Sequence, residues 1–543
     1  MDMKLNENLF SNVGIDSIGF HAPRHFIDIE EFARKRNLNI DKYRKGLLLK
    51  EMRMPQVGED IISMGLKASF NALNRGNINP KEIDAVFVGT ETMTYAVKSV
   101  SNIFAELLGI PMNSMTQDIY NACAAATLAI LNAIALIEKD IINKALIIGA
   151  DISAYEIGSP SEPTQGSGAI ALVISRNPRI ATFSKKFGKV SGNINDFFRP
   201  ANEENAQVFG HYSVNSYLNF QLAAYDDLIN NIGNVYTDFY AFHAPFSKLP
   251  LKCIQHIIQK RWIHDINNLL LVEKNHVKSS IMKKFDSFMR NFIVLPEYLY
   301  LKLKEKGFSS EKLEKFSHWM ISNIKEKVLP QLRVPMHFGN MYSASVWAQI
   351  IYILENYARS HDTIYFGSYG SGATCISGLL KVNNRFKSIV EKGPKINDFI
   401  KNKTRMTIHE YELSKRGLIK PLTYLGKIAE HEENNDRGFM LHYCDKGCII
   451  PGVEGLNYCP KGHSGYHEKF FPYYAVLKSV PKLSYARDLS FLKKDFVRVA
   501  PSARRGNTLE YEIRRAALKN FEIIDVVGLL DWSPMYIPVE NIY

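Results

Sequence analysis

Cysteine is scarce in this sequence, with six among 543 residues, at positions 123, 253, 375, 444, 448 and 459. Because the cysteines are few and the first three are far apart in sequence, we expect no disulfide framework, which suggests a reducing compartment. Long apolar runs are also lacking: the longest, after Cys123, is broken by Asn132 and Glu138 and is too short to span a bilayer. The polar start, Met1 to Ser11, contains no apolar segment of the signal-peptide type. We therefore expect a cytoplasmic protein that does not associate with membranes.

The composition is that of an ordinary globular protein, with 46% hydrophobic and 22% charged residues over a length that suits two or more domains. The net charge of +12 is uneven, because residues 248–335 hold 17 Lys and Arg against 8 Asp and Glu. Such a basic stretch suits an anionic ligand or partner, although a solvated helical face is the commoner meaning. No recognised nucleic-acid-binding motif accompanies it, so we expect no nucleic-acid partner.

One cysteine lies in an unusual setting, the stretch Asn121-Ala122-Cys123-Ala124-Ala125-Ala126-Thr127. The apolar run 128–137 that follows predicts a buried helix with Cys123 at its start. A helix N-terminus favours the thiolate, because free N–H groups and the helix dipole point at it. Small neighbours would leave room for an acyl group. A buried structural cysteine is the alternative interpretation.

Strand and helix patterns alternate along the chain, which indicates an α/β layered fold. Strands are predicted at 14–20, 83–89, 145–150, 169–175, 236–242, 363–366 and 376–382, and helices at 29–36, 59–74, 214–230 and 346–357. Glu91 and His243 each follow a strand, and Asn340 precedes a helix. Glycine-rich turns are predicted at 163–168 and 367–373. Polar side chains at such junctions are where α/β folds place their chemistry, although each alone could be a solvated loop residue or a helix cap.

A set of motifs resembles the 3-hydroxy-3-methylglutaryl-CoA synthase family of the thiolase superfamily. The motifs are Gly89-Thr90-Glu91-Thr92, Lys98-Ser99-Val100, Asn121-Ala122-Cys123, Thr127, Gly149-Ala150-Asp151, Thr164-Gln165-Gly166, Asp196-Phe197-Phe198-Arg199-Pro200, Phe242-His243-Ala244-Pro245-Phe246, Gly339-Asn340-Met341-Tyr342 and Tyr369-Gly370-Ser371-Gly372. They occur in the family's order from near the N-terminus to about Arg437. The resemblance implies a five-layered α-β-α-β-α fold of two similar halves, usually forming a homodimer. We expect the halves at 1–178 and 179–440, the second with a basic helical insertion, and an appendage at 441–543.

The resemblance also implies the chemistry of an acyltransferase. Cys123 takes an acetyl group from a thioester, Glu91 removes a proton from the acetyl methyl, and His243 polarises the ketone of a 3-oxoacyl acceptor. A carboxylate can serve as that base if a dry site raises its pKa. The expected reaction joins acetyl-CoA to acetoacetyl-CoA, giving 3-hydroxy-3-methylglutaryl-CoA on the mevalonate route to isoprenoids. It requires no metal and no organic cofactor beyond the CoA thioesters.

Further residues match family positions around the substrate. The resemblance implies that Asn340, Ser371 and Thr164 contact the substrate, that Lys248 lies near the CoA phosphates, and that Asp151 supports the site.

Two positions depart from the family pattern. Tyr95 stands where the family usually has an aspartate four residues after the glutamate, and Phe209 stands where it usually has the acid of an Asp-Gly pair. Both changes bear on the rate or the substrate.

Two alternative functions remain open from the sequence. One is the polyketide-associated branch of the family, which acts on β-ketoacyl chains held by an acyl carrier protein. The other is a non-catalytic thiolase-fold scaffold subunit. Because Cys123, Glu91 and His243 are all retained, the scaffold is the less favoured.

Beyond about Gly438 the resemblance fades, and the C-terminal segment has a different signal. It contains Cys444, Cys448, Cys459 and His463, a set of residue types that bind structural zinc. The two-residue spacing common in zinc sites is absent, and His467 competes as the fourth ligand. Unpaired cysteines in an irregular segment are the alternative interpretation.

If those four side chains bind zinc, protein purified without added metal should contain about one zinc per chain, because a closed thiolate site holds the ion tightly. Elemental analysis measures this content. Less than about a tenth of an equivalent would exclude the site.

Overall fold

A computed structural model describes residues 9–55, 59–95, 97–200, 203, 205–233, 235–257, 260 and 327–415, and further on residues 438–443, 449, 450, 464, 465, 467–472, 474, 475, 497 and 498. The helices are Ile29–Lys35 (α1), Ile61–Gly76 (α2), Val100–Leu107 (α3), Ala125–Glu138 (α4), Gly210–Ile232 (α5), Arg333–Phe338 (α6), Ser345–Asn356 (α7), Lys387–Val390 (α8), Ile396–Lys401 (α9) and Ile408–Lys415 (α10). Residues 249–257 are also helical. Short 3-10 turns lie at Pro80–Glu82, Glu162–Thr164, Pro330–Leu332 and Tyr342–Ala344, and a π turn lies at Lys42–Gly46.

The strands are Phe10–His21 (β1), His25–Asp28 (β2), Glu51–Arg53 (β3), Ala85–Gly89 (β4), Met115–Ile119 (β5), Lys144–Ile152 (β6), Ser167–Arg176 (β7), Ala181–Ser184 (β8), Gly188–Ser191 (β9), Phe197–Phe198 (β10), Gln207–Val208 (β11), Phe239–Phe242 (β12), Thr363–Gly370 (β13), Thr374–Val382 (β14), Thr404–Arg405 (β15), Gly438–Tyr443 (β16), Ile449–Ile450 (β17), His467–Pro472 (β18), Tyr474–Ala475 (β19) and Val497–Arg498 (β20).

Ten of these strands form one sheet in the order β12-β13-β14-β8-β1-β7-β6-β4-β5, with β9 beside β14. Strand β4 is parallel to β5 and β6, and β12 is parallel to β13, while the other pairs are antiparallel. The sheet therefore consists of two half-sheets that meet where β1 pairs with β8.

Strands β4, β6, β7 and β13 are buried on both faces, which explains why they are largely apolar in sequence. In β4, Ala85 and Phe87 face a central core, while Val86 and Val88 face an outer core that contains α2 and α3. In β13, Ile364 faces the central core, while Tyr365 faces a second outer core that contains α5. Helices α4 and α7 lie in the central core between the half-sheets. Helix layers and half-sheets thus alternate in five layers, which confirms the predicted fold.

Close approach of α4 to β4 depends on small residues. A Cβ on Gly89 would lie 2.3 Å from the backbone nitrogen of Ala126, so a side chain there would push the helix away. Ala129 and Ala133, on the next turns of α4, are fully buried. The small residues after Cys123 therefore bring the start of α4 against the end of β4.

The predicted elements are present with shifted ends, and both predicted turns are wrong in extent. Ser167 and Gly168, predicted as part of the first turn, begin β7. The segment from Gly367 to Gly370, predicted as turn, continues β13, because it pairs with Thr374–Ser377 of β14. The turn is confined to Ser371, Gly372 and Ala373. Within the described residues, no helix is long and apolar enough to cross a membrane.

A buried ion pair joins α2 to α7, and its loss should destabilise the fold. Arg75 Nη2 lies 2.7 Å from Glu355 Oε1, and both side chains are fully buried. Arg75→Met should lower the free energy of unfolding by about 3–5 kcal/mol, because it leaves an unpaired carboxylate in the interior. Urea denaturation measures the change. As a control, Arg34→Met breaks an exposed pair with Glu30 and should cost less than about 1 kcal/mol. Equal losses in the two variants would contradict this account.

Candidate active site

Cys123 sits in a tight turn just before α4. The Ala124 N–H donates to Asn121 O at 3.1 Å, and the Ala125 N–H donates to Ala122 O at 3.2 Å. Ala122 has φ of 44°, in the left-handed region that residues with a Cβ rarely adopt. Such strain is held in place by its surroundings and clusters at functional sites. The Cys123 side chain is buried, with 4% of the residue exposed.

Glu91 contacts the thiol directly. It follows β4, and its Oε1 accepts a hydrogen bond from Cys123 Sγ at 3.5 Å. Burial, and then the negative charge of Asp151, raise the pKa of Glu91 well above its usual range. The fold thus brings together a thiol and a carboxylate that are 32 positions apart in the chain.

Asp151, at the end of β6, holds the loop that carries Glu91. Its Oδ1 accepts hydrogen bonds from Thr90 Oγ1 at 2.8 Å, Glu91 N at 2.9 Å and Thr92 N at 3.1 Å. Its Oδ2 accepts from Ser343 N at 3.0 Å and from the Ser343 hydroxyl. The pKa of Asp151 is raised, because burial outweighs these hydrogen bonds. This one carboxylate therefore ties the Glu91 loop to the second half of the chain.

The ionisation of Cys123 differs from the sequence-based expectation. Burial raises the pKa of the thiol well above its usual range, and the carboxylates of Glu91 and Asp151 raise it further. A helix N-terminus contributes at most about 2 kcal/mol toward the thiolate, and desolvation outweighs it here. The resting group is therefore a thiol, and Glu91 is in contact with it.

Aromatic side chains surround the thiol. Cys123, Tyr155 and Tyr342 pack together, with Phe197 against them. The Phe197 ring centroid lies 6.2 Å from that of Tyr155 and 5.9 Å from that of Tyr342. Tyr155 also shares side-chain hydrogen bonds with Tyr342 and Asn340. Sequence analysis assigned no role to these aromatic residues; for Phe197 and Tyr342, the only signal was their position inside the shared motifs.

Asn340 bonds to the aromatic residues around Cys123, whereas Thr164 contacts Asn340 through its backbone only. Asn340 N donates to Thr164 O at 3.0 Å, and Asn340 Oδ1 accepts from Tyr342 N at 3.0 Å. The Thr164 hydroxyl donates to Ser161 O at 2.7 Å. Thr164 thus contributes its backbone carbonyl, which positions Asn340.

His243 directly follows β12 and is almost fully buried. Its backbone N–H donates to Gly367 O at 2.8 Å, and its backbone carbonyl accepts from the Tyr217 hydroxyl at 2.6 Å. Among the described residues, Nδ1 of the imidazole has no hydrogen-bond partner. Burial lowers the pKa of His243 to about 3. The imidazole is therefore neutral at physiological pH and can act as a hydrogen-bond donor.

Strand β13 contacts both the segment that contains His243 and the turn that contains Cys123. His243 pairs with β13 at Gly367, and the hydroxyls of Ser368 and Thr127 lie 2.8 Å apart. Further along the strand, a Cβ on Gly370 would lie 2.5 Å from Asn121 O, in the turn that carries Cys123. One strand thus contacts both regions within four residues.

The turn that contains Ser371 is held by a buried carboxylate. Asp196 Oδ1 accepts from Gly372 N at 3.0 Å, and Asp196 Oδ2 accepts from the Tyr369 hydroxyl at 2.6 Å. Asp196 occurs in a shared motif, but its supporting position was not assigned from the sequence.

The structure also describes Lys248, Tyr95 and Phe209, the last two being the positions that depart from the family pattern. Lys248 Nζ donates to Lys45 O at 3.1 Å, beside the π turn. Tyr95 is partly buried against the α2 and α3 core. Phe209 is half exposed and stacks on Phe198 with ring centroids 6.2 Å apart.

The predicted zinc ligands Cys444, Cys448, Cys459 and His463 lie outside the described residues. Within the described part of the chain, no group of three or more His, Cys, Asp or Glu side chains could hold a metal ion.

The raised pKa of Cys123 predicts slow alkylation at neutral pH, since only the thiolate reacts with iodoacetamide. The rate should keep rising above pH 8.5, the ordinary cysteine pKa being about 8.5. Peptide mass spectrometry measures the rate at Cys123, with glutathione as the reference thiol. A rate that already levels off at pH 7 would contradict the assignment.

Comparison with known proteins identifies the family. Family models described as "Hydroxymethylglutaryl-coenzyme A synthase N terminal" and "Hydroxymethylglutaryl-coenzyme A synthase C terminal" match residues 10–179 and 187–452. A hydroxymethylglutaryl-CoA synthase from Gibberella zeae is 29% identical over 404 residues, which cover 70% of this chain and 84% of the relative. One from Methanocella arvoryzae is 28% identical over 392 residues, covering 72% of this chain and 93% of the relative.

Solved structures agree with this result. A structure of MvaS in complex with 3-hydroxy-3-methylglutaryl coenzyme A has a TM-score of 0.61 at 25% identity, covering 74% of this chain and 90% of that one. The HMG synthase of the curacin biosynthetic pathway, in complex with holo donor-ACP, has the same fold, with a TM-score of 0.61 at 20% identity, covering 84% and 99%. Since two family models together match well over half of its length, the chain belongs to the hydroxymethylglutaryl-CoA synthase family, as its motifs indicated.

Proposed function

We propose that this chain joins an acetyl group to the ketone of a 3-oxoacyl thioester, making 3-hydroxy-3-methylglutaryl-CoA from acetyl-CoA and acetoacetyl-CoA. The observation that carries the proposal is the buried contact between Cys123 Sγ and Glu91 Oε1. It combines a nucleophile for acyl transfer with a base whose raised pKa suits proton removal from carbon.

The first step transfers the acetyl group. As Cys123 Sγ attacks the acetyl carbonyl, Glu91 accepts the thiol proton. Collapse of the tetrahedral intermediate breaks the bond to CoA sulfur, and Glu91 returns the proton to that sulfur, so CoA leaves as its thiol. The enzyme then holds an acetyl thioester beside a carboxylate.

The second step forms the carbon–carbon bond. Glu91 removes a proton from the acetyl methyl, and the resulting carbanion equivalent attacks the ketone of the acceptor. Neutral His243 donates a hydrogen bond to the ketone oxygen. That oxygen becomes the tertiary hydroxyl when it receives the proton that Glu91 took from the methyl group. Asn340 and the Ser371 turn orient the acceptor. Water then cleaves the thioester to Cys123, which frees the thiol and leaves a carboxylate on the product.

A carrier protein is a second candidate for delivering the acyl groups. The observation that favours it is the basic charge of residues 248–335, because a carrier protein with an acidic surface would be attracted to it. CoA phosphates would be attracted as well, and Lys248 is half-buried at the start of that stretch. Kinetics with CoA-bound and carrier-bound acceptors, compared side by side, separate the two.

Two features of organisation belong to the same proposal. The division into halves at 1–178 and 179–440 is supported by the similar limits of the two family models. A homodimer is supported by β5, a terminal strand of the sheet, near which Met112 and Met115 are exposed.

The roles predict which step each variant loses. Cys123→Ser should form no acetyl-enzyme, because a hydroxyl is a far weaker nucleophile than a thiolate. Glu91→Ala should lose condensation by at least about a hundredfold. His243→Ala should still be acetylated and should mainly lose the use of the acceptor. Intact mass spectrometry follows the acetyl-enzyme, and formation of 3-hydroxy-3-methylglutaryl-CoA after acceptor addition follows condensation.

Two results would overturn this assignment. One is Glu91→Ala protein that condenses at the parent rate, and the other is a stable acetyl-enzyme formed by Cys123→Ser at the full rate. A parent protein that is never acetylated by either carrier would instead favour the scaffold function.

A further inference from the structure

Helix α5 holds the backbone of His243 from two sides. The hydroxyl of Tyr217, itself 1% exposed, donates to the His243 carbonyl at 2.6 Å. One turn later, Gln221 Nε2 donates to Gly367 O at 3.1 Å, and the same oxygen accepts from the His243 N–H. Residues four apart share one face of a helix. The face of α5 that carries Tyr217 and Gln221 therefore holds the carbonyl of His243 directly and also binds Gly367 O, the acceptor of the His243 backbone N–H.

Tyr217 also supports the turn that contains Ser371. Its ring packs edge-on against Tyr369 with centroids 5.3 Å apart, and the Tyr369 hydroxyl donates to Asp196. Asp196 in turn accepts from Gly372 N in that turn. One buried side chain thus contacts His243 directly and is linked to the Ser371 turn through Tyr369 and Asp196.

The orientation of the imidazole depends on its backbone. His243 Nδ1 has no partner among the described residues, so no hydrogen bond at that atom fixes the ring. A buried carbonyl that loses its donor moves or is hydrated, since an unpaired buried acceptor is costly. A small shift of a catalytic group can lower the rate by a factor of about a hundred.

On these contacts, and resting on the proposed function, we propose that Tyr217 is a positioning residue that orients His243 and the Ser371 turn for the acceptor ketone. The Tyr217 hydroxyl bonds to His243, whereas Cys123 and Glu91 bond to each other. We therefore expect that acetyl transfer does not depend on this hydroxyl.

Tyr217→Phe tests this, because it removes one oxygen and keeps the ring. We expect the rate of Cys123 acetylation to stay within about twofold of the parent, while kcat/KM for the acceptor falls about 10- to 100-fold. The matched control is Tyr365→Phe, a buried ring of the same core whose hydroxyl does not bond to His243. The control should keep both rates.

Two further variants separate positioning from general destabilisation. In a His243→Ala background, adding Tyr217→Phe should change the residual condensation rate by less than about twofold, since coupled residues do not act additively. Replacing Tyr217 with 4-aminophenylalanine, which keeps a donor at the same ring position, should restore condensation.

Parent-like condensation by Tyr217→Phe would overturn the proposal. Equal loss of acetylation and condensation would do so as well, since it would indicate a structural role alone. If the parent is not acetylated or does not condense with either carrier, the proposed function fails first, and this inference fails with it.

Discussion

The buried carboxylate of Asp151 is the constraint on which the site depends. Its two oxygens accept hydrogen bonds from the loop after β4 and from Ser343 in the other half of the chain. The Ser343 hydroxyl oxygen also lies 2.8 Å from Gly89 O, at the end of β4. The position of Glu91 relative to Cys123 is thus set where the end of β6 contacts the turn that contains Ser343. A buried carboxylate requires this many donors, because an unpaired charge in the interior is very unfavourable.

The same burial determines the proton chemistry. Burial raises the pKa of all three acidic groups, Cys123, Glu91 and Asp151. The charge of Asp151 raises the pKa of Glu91 further, and the charges of both carboxylates raise that of Cys123. A low-pKa thiolate would be reactive before substrate arrives. A thiol in contact with a carboxylate becomes nucleophilic only as its proton moves, which links activation to the presence of the acyl donor. His243, held neutral with a pKa of about 3, can donate to an oxygen without adding a charge.

Much of the fold could be predicted from the sequence, because the strands and helices of each layer have recognisable apolar patterns and caps. Apolar runs such as Ala85–Gly89 predicted buried strands, and the helix-capping Asp28 does accept from Glu31 N at 2.9 Å. The extent of β13 could not be predicted, since its glycines suggest a turn and only pairing with β14 keeps them extended.

The site was less predictable than the fold. Motifs identified Cys123, Glu91 and His243, but the ionisation of Cys123 depends on burial and on carboxylates 28 and 32 residues away in sequence. Tyr217 lies 26 residues before the carbonyl it supports. No local pattern encodes such contacts, because tertiary packing alone creates them.

The central claim, that Glu91 removes a proton from the acetyl group on Cys123, can be measured without any acceptor. Parent and Glu91→Ala proteins would be given acetyl-CoA with a fully deuterated methyl group, and the mass of the acetylated Cys123 peptide followed over time in ordinary water. The account predicts that the parent loses deuterium to solvent. In any acetylated Glu91→Ala protein, the deuterium should stay in place. Equal loss of deuterium from both acetyl-enzymes would contradict the account and assign the base to another group.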